Sequence, residues 1–142
     1  MPVISITRLR VRSLFFLPAF VLTALRIGAQ AKRAPGNLAA KVFRDEEHAF
    51  WTSTSWESEA AMKAFMLTPP HGPAMRKLLE WCDEAALVHW AQDSPELPSW
   101  TEAHRRMQSD GRPSKVNHPS EAHRAYSIPP PSTNPRRESR LK

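Results

Sequence analysis

The sequence predicts an α+β domain of the ferredoxin-like βαββαβ kind, a single sheet with helices on one side. Three observations predict it. Apolar residues alternate with period two at the start of the chain and again around residue 50, helical spacing fills the intervals, and the elements follow the order strand, helix, strand, strand, helix, strand. At 142 residues the chain has one-domain length.

The first strand is expected at Val3 to Val11, in the branched run V-I-S-I-T-R-L. A long helix follows from about Ser13 to Arg33. Pro18 is acceptable there only in the first turn or at a kink, because it lacks an N–H and clashes with the preceding turn. Ala34-Pro35-Gly36 ends the helix. The second strand is Asn37 to Arg44, with Leu38, Ala40 and Val42 on one face, and Asp45 to His48 form a polar turn into the third strand, Ala49 to Trp56. In that strand Phe50, Thr52, Thr54 and Trp56 face one way, and Trp51, Ser53 and Ser55 the other.

Ser58 suits an N-cap for a helix through about Leu67, in which Ala61, Met62, Phe65 and Met66 form the apolar stripe. Thr68-Pro69-Pro70 breaks that helix. The next runs from about Pro73 to Glu84, with Met75, Leu78, Leu79 and Cys82 on one stripe, and the fourth strand is Ala86 to Gln92. The fold leaves one sheet face open, and the expected cover is the same face of a second copy, giving a homodimer.

Leu14 to Leu25 is apolar, follows Arg8, Arg10 and Arg12, and precedes Ala29-Gln30-Ala31, so it imitates a secretory signal. The strand ahead of it and Arg26, which comes before any cleavage site, argue for a helix lying on the sheet. A membrane span needs ~20 apolar residues, more than this run supplies. The reading is therefore a cytoplasmic protein with no membrane partner.

Composition divides the chain into residues 1–97, the α+β domain; 98–111, one short helix carrying Trp100, Ala103 and Met107; and 112–142, a disordered basic Pro-rich tail. From Pro98 to Lys142 there are seven prolines and nine Lys or Arg against four acids, a net of +5. Residues 1–97 hold eleven basic and ten acidic residues, a net of +1, and the two sum to the formal charge of +6. The domain itself thus lacks the basic footprint of a nucleic-acid binder. Cys82 is the lone cysteine, which rules out an internal disulfide and a multi-cysteine metal site. His48, His71 and His89 lack the paired spacing of a zinc site, so no metal is expected. With only four glycines there is no phosphate-cradling loop.

The run Trp56-Glu57-Ser58-Glu59-Ala60-Ala61-Met62, then Phe65, then His71 ahead of a helix, then Trp81-Cys82-Asp83-Glu84 and Val88-His89-Trp90 resembles the antibiotic-biosynthesis-monooxygenase-like proteins of the dimeric α+β barrel superfamily. Within them it is most similar to a bacterial branch compared with spheroidene monooxygenase. The likeness covers roughly residues 1 to 93. It implies a pocket between helices and sheet that admits a small aromatic or polyketide-like molecule, whose carbanion activates oxygen without a cofactor.

By position, Trp56, Phe65 and Trp81 would line that pocket and bind substrate, Trp56 or Trp81 giving a stacking wall and an indole N–H. His71 would be the catalytic base or the partner of a substrate oxygen. Each has a plainer reading: Trp56 and Trp81 as core, His71 as a helix cap, His89 as a surface histidine. The haem-degrading relatives carry a helical histidine where this chain reads Ala74-Met75-Arg76-Lys77. Haem would have to be held by His71 or Met75, and the alternative function is a noncatalytic dimeric module binding a small ligand or haem.

Overall fold

The computed structural model describes every residue except Pro70 and Thr133. Among the described residues, six strands form one antiparallel sheet in the order β5-β4-β1-β3-β2-β6. The strands are β1 (Val3–Val11), β2 (Asn37–Arg44), β3 (Ala49–Trp56), β4 (Cys82–Ala91), β5 (Arg112–Pro113) and β6 (Glu138–Arg140). Helices α1 (Leu17–Arg33), α2 (Glu59–Leu67) and α3 (His71–Trp81) pack on one side, while α4 (Trp100–Asp110) and the short α5 (Glu121–Arg124) come from the C-terminal part. The central order β4-β1-β3-β2 is that of the expected ferredoxin-like sandwich.

The nine-residue β1 lies in the middle, paired with β3 along one edge and β4 along the other. Its alternation sends Val3, Ser5, Thr7 and Leu9 toward the helices and Ile4, Ile6 and Arg8 to the opposite side. α1 starts at Leu17, later than the expected Ser13, and Pro18 falls in its first turn, where its missing N–H costs nothing. After α1 the chain turns through Gly36 at φ 84°. A Cβ there would stand 2.6 Å from the Cβ of Ala61, so both the backbone and the close approach of α2 require glycine. Ser58 caps α2 as expected, its Oγ accepting the Ala61 N–H at 3.1 Å. Pro70, part of the expected break after α2, lies outside the described residues.

Two further features differ from the sequence reading. In β2 the register shifts between Asn37 and Ala39, which leaves Leu38 exposed instead of aligned with Ala40 and Val42. The helix expected to reach Glu84 ends at Trp81, and Cys82 opens β4 opposite Val11. The apolar spacing continues helically through Cys82, but a tertiary contact wins: the Arg12 N–H donates to the Trp81 carbonyl at 2.9 Å, closing the sheet at that point.

The other sheet face is where a second copy was expected. It is covered by the chain itself. Ser99 caps α4, and Ala103 and Met107 are buried in one cluster with Ile4, Ile6, Phe43, Trp51, Ala86 and Val88, joined by Ile128. The tail expected to be disordered from residue 112 is instead laid along the sheet. β5 extends β4, Val116 wraps round that edge into the cluster of Val11, Phe20 and Cys82, Tyr126 Oη donates to the Met107 carbonyl at 2.6 Å, and β6 pairs with β2. The compositional argument fails because the segment needs no core of its own. Its few apolar side chains meet an apolar surface already formed, and each large one buried there contributes ~1.5–3 kcal/mol.

Polar contacts hold this cover in place. Lys41 Nζ donates to the Pro98 carbonyl at 2.9 Å and lies 3.3 Å from the Glu138 carboxylate, which also accepts the Trp100 indole N–H at 2.8 Å. A hydrogen bond of 2.8 Å joins His104 Nε2 to the Ile128 carbonyl, and Ser120 Oγ donates to Glu84 at 2.8 Å.

Candidate active site

The helix-facing side of the sheet holds two apolar clusters at opposite ends of β1. At the Val3 end are Trp56, Met62, Phe65 and Ala31; at the Val11 end are Phe20, Cys82, Ala85 and, half-buried, Phe50, Leu78 and Trp81. Eight residues of extended chain separate the two ends, ~26 Å. Three of the four residues singled out in the sequence therefore come together, and Trp81 does not join them.

Trp56 ends β3 and is fully buried, its ring tilted on Phe65 with centroids 5.0 Å apart. Its indole N–H donates to Thr54 Oγ1 at 2.9 Å, so this N–H is already engaged within the protein. Phe65 in turn lies 4.8 Å from the ring of His71. His71 is the first residue of α3 and half-buried. Its Nδ1 is 3.0 Å from the Met66 carbonyl, and because a carbonyl only accepts, Nδ1 carries the proton and Nε2 the lone pair. Burial lowers the His71 pKa from the ordinary histidine value, and the Met66 hydrogen bond offsets only part of that. The imidazole is therefore neutral at pH 7, with a basic nitrogen available.

Sequence reasoning missed Gln30. Its Nε2 donates to the carbonyls of Phe65 (3.2 Å) and Thr68 (2.9 Å), while its Oε1 accepts the His71 N–H at 3.0 Å. One α1 side chain thus fixes the junction between α2 and α3 and with it the position of His71. A glutamine at the helix end reads from sequence as a surface residue, and nothing in the pattern marks it.

Between the two clusters the sheet is polar. The register sets Ser5 opposite Thr54 on one neighbour and His89 on the other, and Thr7 opposite Thr52 and Leu87. Ser5, Thr7 and Thr52 are half-buried and His89 is exposed. The period-two run I-S-I-T already places Ser5 and Thr7 on one side, a signal in the sequence that went unused. The two described cavities lie on the opposite face under the C-terminal segment. The larger, about 200 Å³, is lined by Phe43, Trp100, Thr101, Pro131, Ser132, Asn134 and Glu138, and neither includes Trp56, Phe65, His71 or Trp81.

Cys82 is buried, and burial followed by the neighbouring Asp83 charge pushes its thiol up to about 12, so it is no nucleophile at neutral pH. Among the described residues no group of three His, Cys, Asp or Glu is placed to hold a metal, and no helix is long and apolar enough to cross a membrane.

Fold and site together define a ferredoxin-like α+β protein with a histidine-bearing junction between its second and third helices. The antibiotic biosynthesis monooxygenase family model matches residues 2–77, and the chain belongs to that family. No curated protein matches it in sequence.

Similar solved structures include SnoaB, a cofactor-independent oxygenase from Streptomyces nogalater, at 20% identity and TM-score 0.53, covering 67% of this chain and 98% of SnoaB. Rv0793 from Mycobacterium tuberculosis is similar at 14% identity and TM-score 0.60, covering 66% and 97%. PA3566 from Pseudomonas aeruginosa is similar at 15% and 0.58, covering 66% and 95%. At these identities the likeness is one of fold, and it spans nearly the whole of each relative but two thirds of this chain.

Proposed function

We propose that the protein is a cofactor-independent, monooxygenase-type enzyme of the cytoplasm acting on a small aromatic or polyketide-like substrate. The observation that carries this is the His71 tautomer: Nδ1–H held by Met66 leaves Nε2 as a neutral base beside the Phe65 ring. Nε2 takes a phenolic proton, and the resulting substrate anion is the species that reacts with oxygen. Family membership and the fold shared with SnoaB, itself a cofactor-independent oxygenase, support the same class.

In this reading Phe65 and Trp56 form an aromatic wall, and Ser5, Thr7 and Thr52 offer hydroxyls to the far end of the substrate. Trp81, in the apolar cluster at the other end of β1, would meet only a long substrate. The homodimer expected from the open sheet face finds that face occupied, and the functional unit we propose is the single chain.

Oxygen uptake measured against a panel of hydroxylated aromatics tests the proposal. Turnover lost in His71→Ala, with the fold retained, supports it; a panel with no uptake by the parent chain overturns it. The engaged Trp56 N–H and the position of the described cavities favour the second reading, a noncatalytic module binding a small ligand or, through Nε2 of His71, haem. A coloured or mass-shifted complex that survives purification without oxygen uptake would select it.

A further inference from the structure

α1 buries one apolar face and leaves another uncovered. Phe20 and Ala31 are buried and Phe16, Leu17, Val21 and Ile27 partly so, all in the clusters on the sheet. On the opposite side Pro18, Leu22, Leu25 and Ala29 recur at helical spacing and are all exposed, Leu22 at 51% and Leu25 at 66%. The turn before the helix adds Leu14 at 67% and Phe15 at 81%. A solvent-facing helix surface ordinarily carries polar residues along this line.

The charges on α1 itself have one sign. α1 contains Arg26, Lys32 and Arg33, all exposed, and no Asp or Glu. α3, packed beside it, presents exposed Met75, Arg76 and Lys77. At the other flank Leu141 reaches Gly28, where an added Cβ would lie 3.2 Å from Leu141 Cδ1, so the basic C-terminal residues border the same helix. Of the acids near this surface, Glu80 pairs with Arg12 and Glu59 with Lys63, and Glu57, beside Gly36 past the helix end, is the exposed exception.

We propose that α1 docks the protein on an anionic lipid bilayer surface, lying parallel to it with Leu14, Phe15, Leu22 and Leu25 in the headgroup–acyl boundary. The charge pattern selects this occupant over a second copy. Two α1 faces packed antiparallel would set Arg26 near its mate, and packed parallel they would also bring Lys32 and Arg33 together, in both cases with no α1 carboxylate to answer them. A bilayer meets both halves of the surface, apolar to the leucines and anionic to the rim, and each cation near such a surface strengthens binding roughly fivefold. The helix, ~25 Å long and anchored to the sheet along its other face, lies on the membrane and does not enter it.

The test is co-sedimentation of the full chain with vesicles of equal phosphatidylglycerol and phosphatidylcholine, against vesicles of phosphatidylcholine alone. Binding to the anionic vesicles, weaker by about tenfold or more on the neutral ones and reduced by added salt, is expected. The double variant Leu22→Ser/Leu25→Ser keeps every charge and replaces only exposed side chains. It should retain the parent circular dichroism and melting point and lose about tenfold in vesicle binding. Absence of binding to anionic vesicles overturns the proposal. So does undiminished binding by the double variant, which would assign it to the basic tail, and so does a two-chain solution mass that the double variant reduces to one, which would make a second copy the occupant.

Discussion

Arg8 and Glu84 meet across the β1–β4 pair, Nη1 2.7 Å from Oε1, with both side chains buried beneath the C-terminal segment. Arg10 reaches the other carboxylate oxygen at 3.0 Å, and Ser120 donates to the same oxygen from the covering chain. Burial alone would push the Glu84 pKa up, but the hydrogen bonds from Arg8 and Ser120 and the Arg8 charge outweigh it and leave the carboxyl below its ordinary value. Glu84→Gln strands the Arg8 charge in the interior, and urea unfolding at pH 7 should show a loss of about 3–5 kcal/mol. A carboxyl with lowered native pKa stabilises above its unfolded value and loses that contribution as pH falls through the native one. The parent chain should therefore lose this stability in acid, while the glutamine variant shows a flatter dependence there.

His71 has the same sign by a different cause. Burial lowers its pKa, so its neutral form adds stability that is lost as pH falls below the unfolded value of ~6.5 toward the native one. Two-dimensional NMR of the imidazole should report a midpoint below that of a free histidine. If His71 is the base, kcat/KM falls on the acid side with that same midpoint and is level above it.

Gln30 acts on the reaction only through His71 and the α2–α3 junction. Gln30→Ala leaves two carbonyls without their donor, and a stability loss of about 1 kcal/mol is expected. The His71 midpoint should shift toward the free value as the junction loosens, and kcat should fall more than KM rises. A variant with altered stability but an unmoved His71 titration would give Gln30 a structural role alone.

Met107 is fully buried between α4 and the sheet. The full chain is expected to sediment at the mass of one copy, 16.1 kDa, because its own segment occupies the face. Met107→Asp places a charge in that contact and should expose residues 98–142 to limited proteolysis. Light scattering checks the mass, and a parent chain at twice that mass with its sheet face shared between copies would contradict the arrangement.

Cys82 provides a probe of integrity. With its thiol pushed up to about 12 in the buried native site, it should resist a thiol reagent at pH 8 and react once the chain unfolds.

The four central strands and both N-terminal helices could be read from the sequence because their signals are local. Period-two alternation marks β1 and β3, and Ser58 with the stripe through Phe65 marks α2. The α3–β4 boundary was not legible, since Cys82 fits the helical spacing and only the Arg12 contact to Trp81, 69 residues away in the chain, turns it into a strand. Of the C-terminal cover, the helix carrying Trp100, Ala103 and Met107 was legible from its spacing, while the path of residues 112–142 was not. Composition measures whether a segment can bury its own apolar residues, and Val116 and Ile128 bury theirs against surfaces supplied by other elements. Of the site, the proximity of Trp56, Phe65 and His71 follows from the helix following the strand, whereas the separation of Trp81 depends on where along β1 each cluster lands.

The central place of β1 has a consequence for how the protein is made. β1 leaves the ribosome before either of its neighbours: β3 begins 38 residues after Val11 and β4 begins 71 after it, each closing a long loop before any reward. Until then Ile4 and Ile6 stand unpaired, next to the greasy start of α1, and the cover that shields them is made after all four central strands. Nascent chains stalled before residue 100 should be the species that chaperones hold longest.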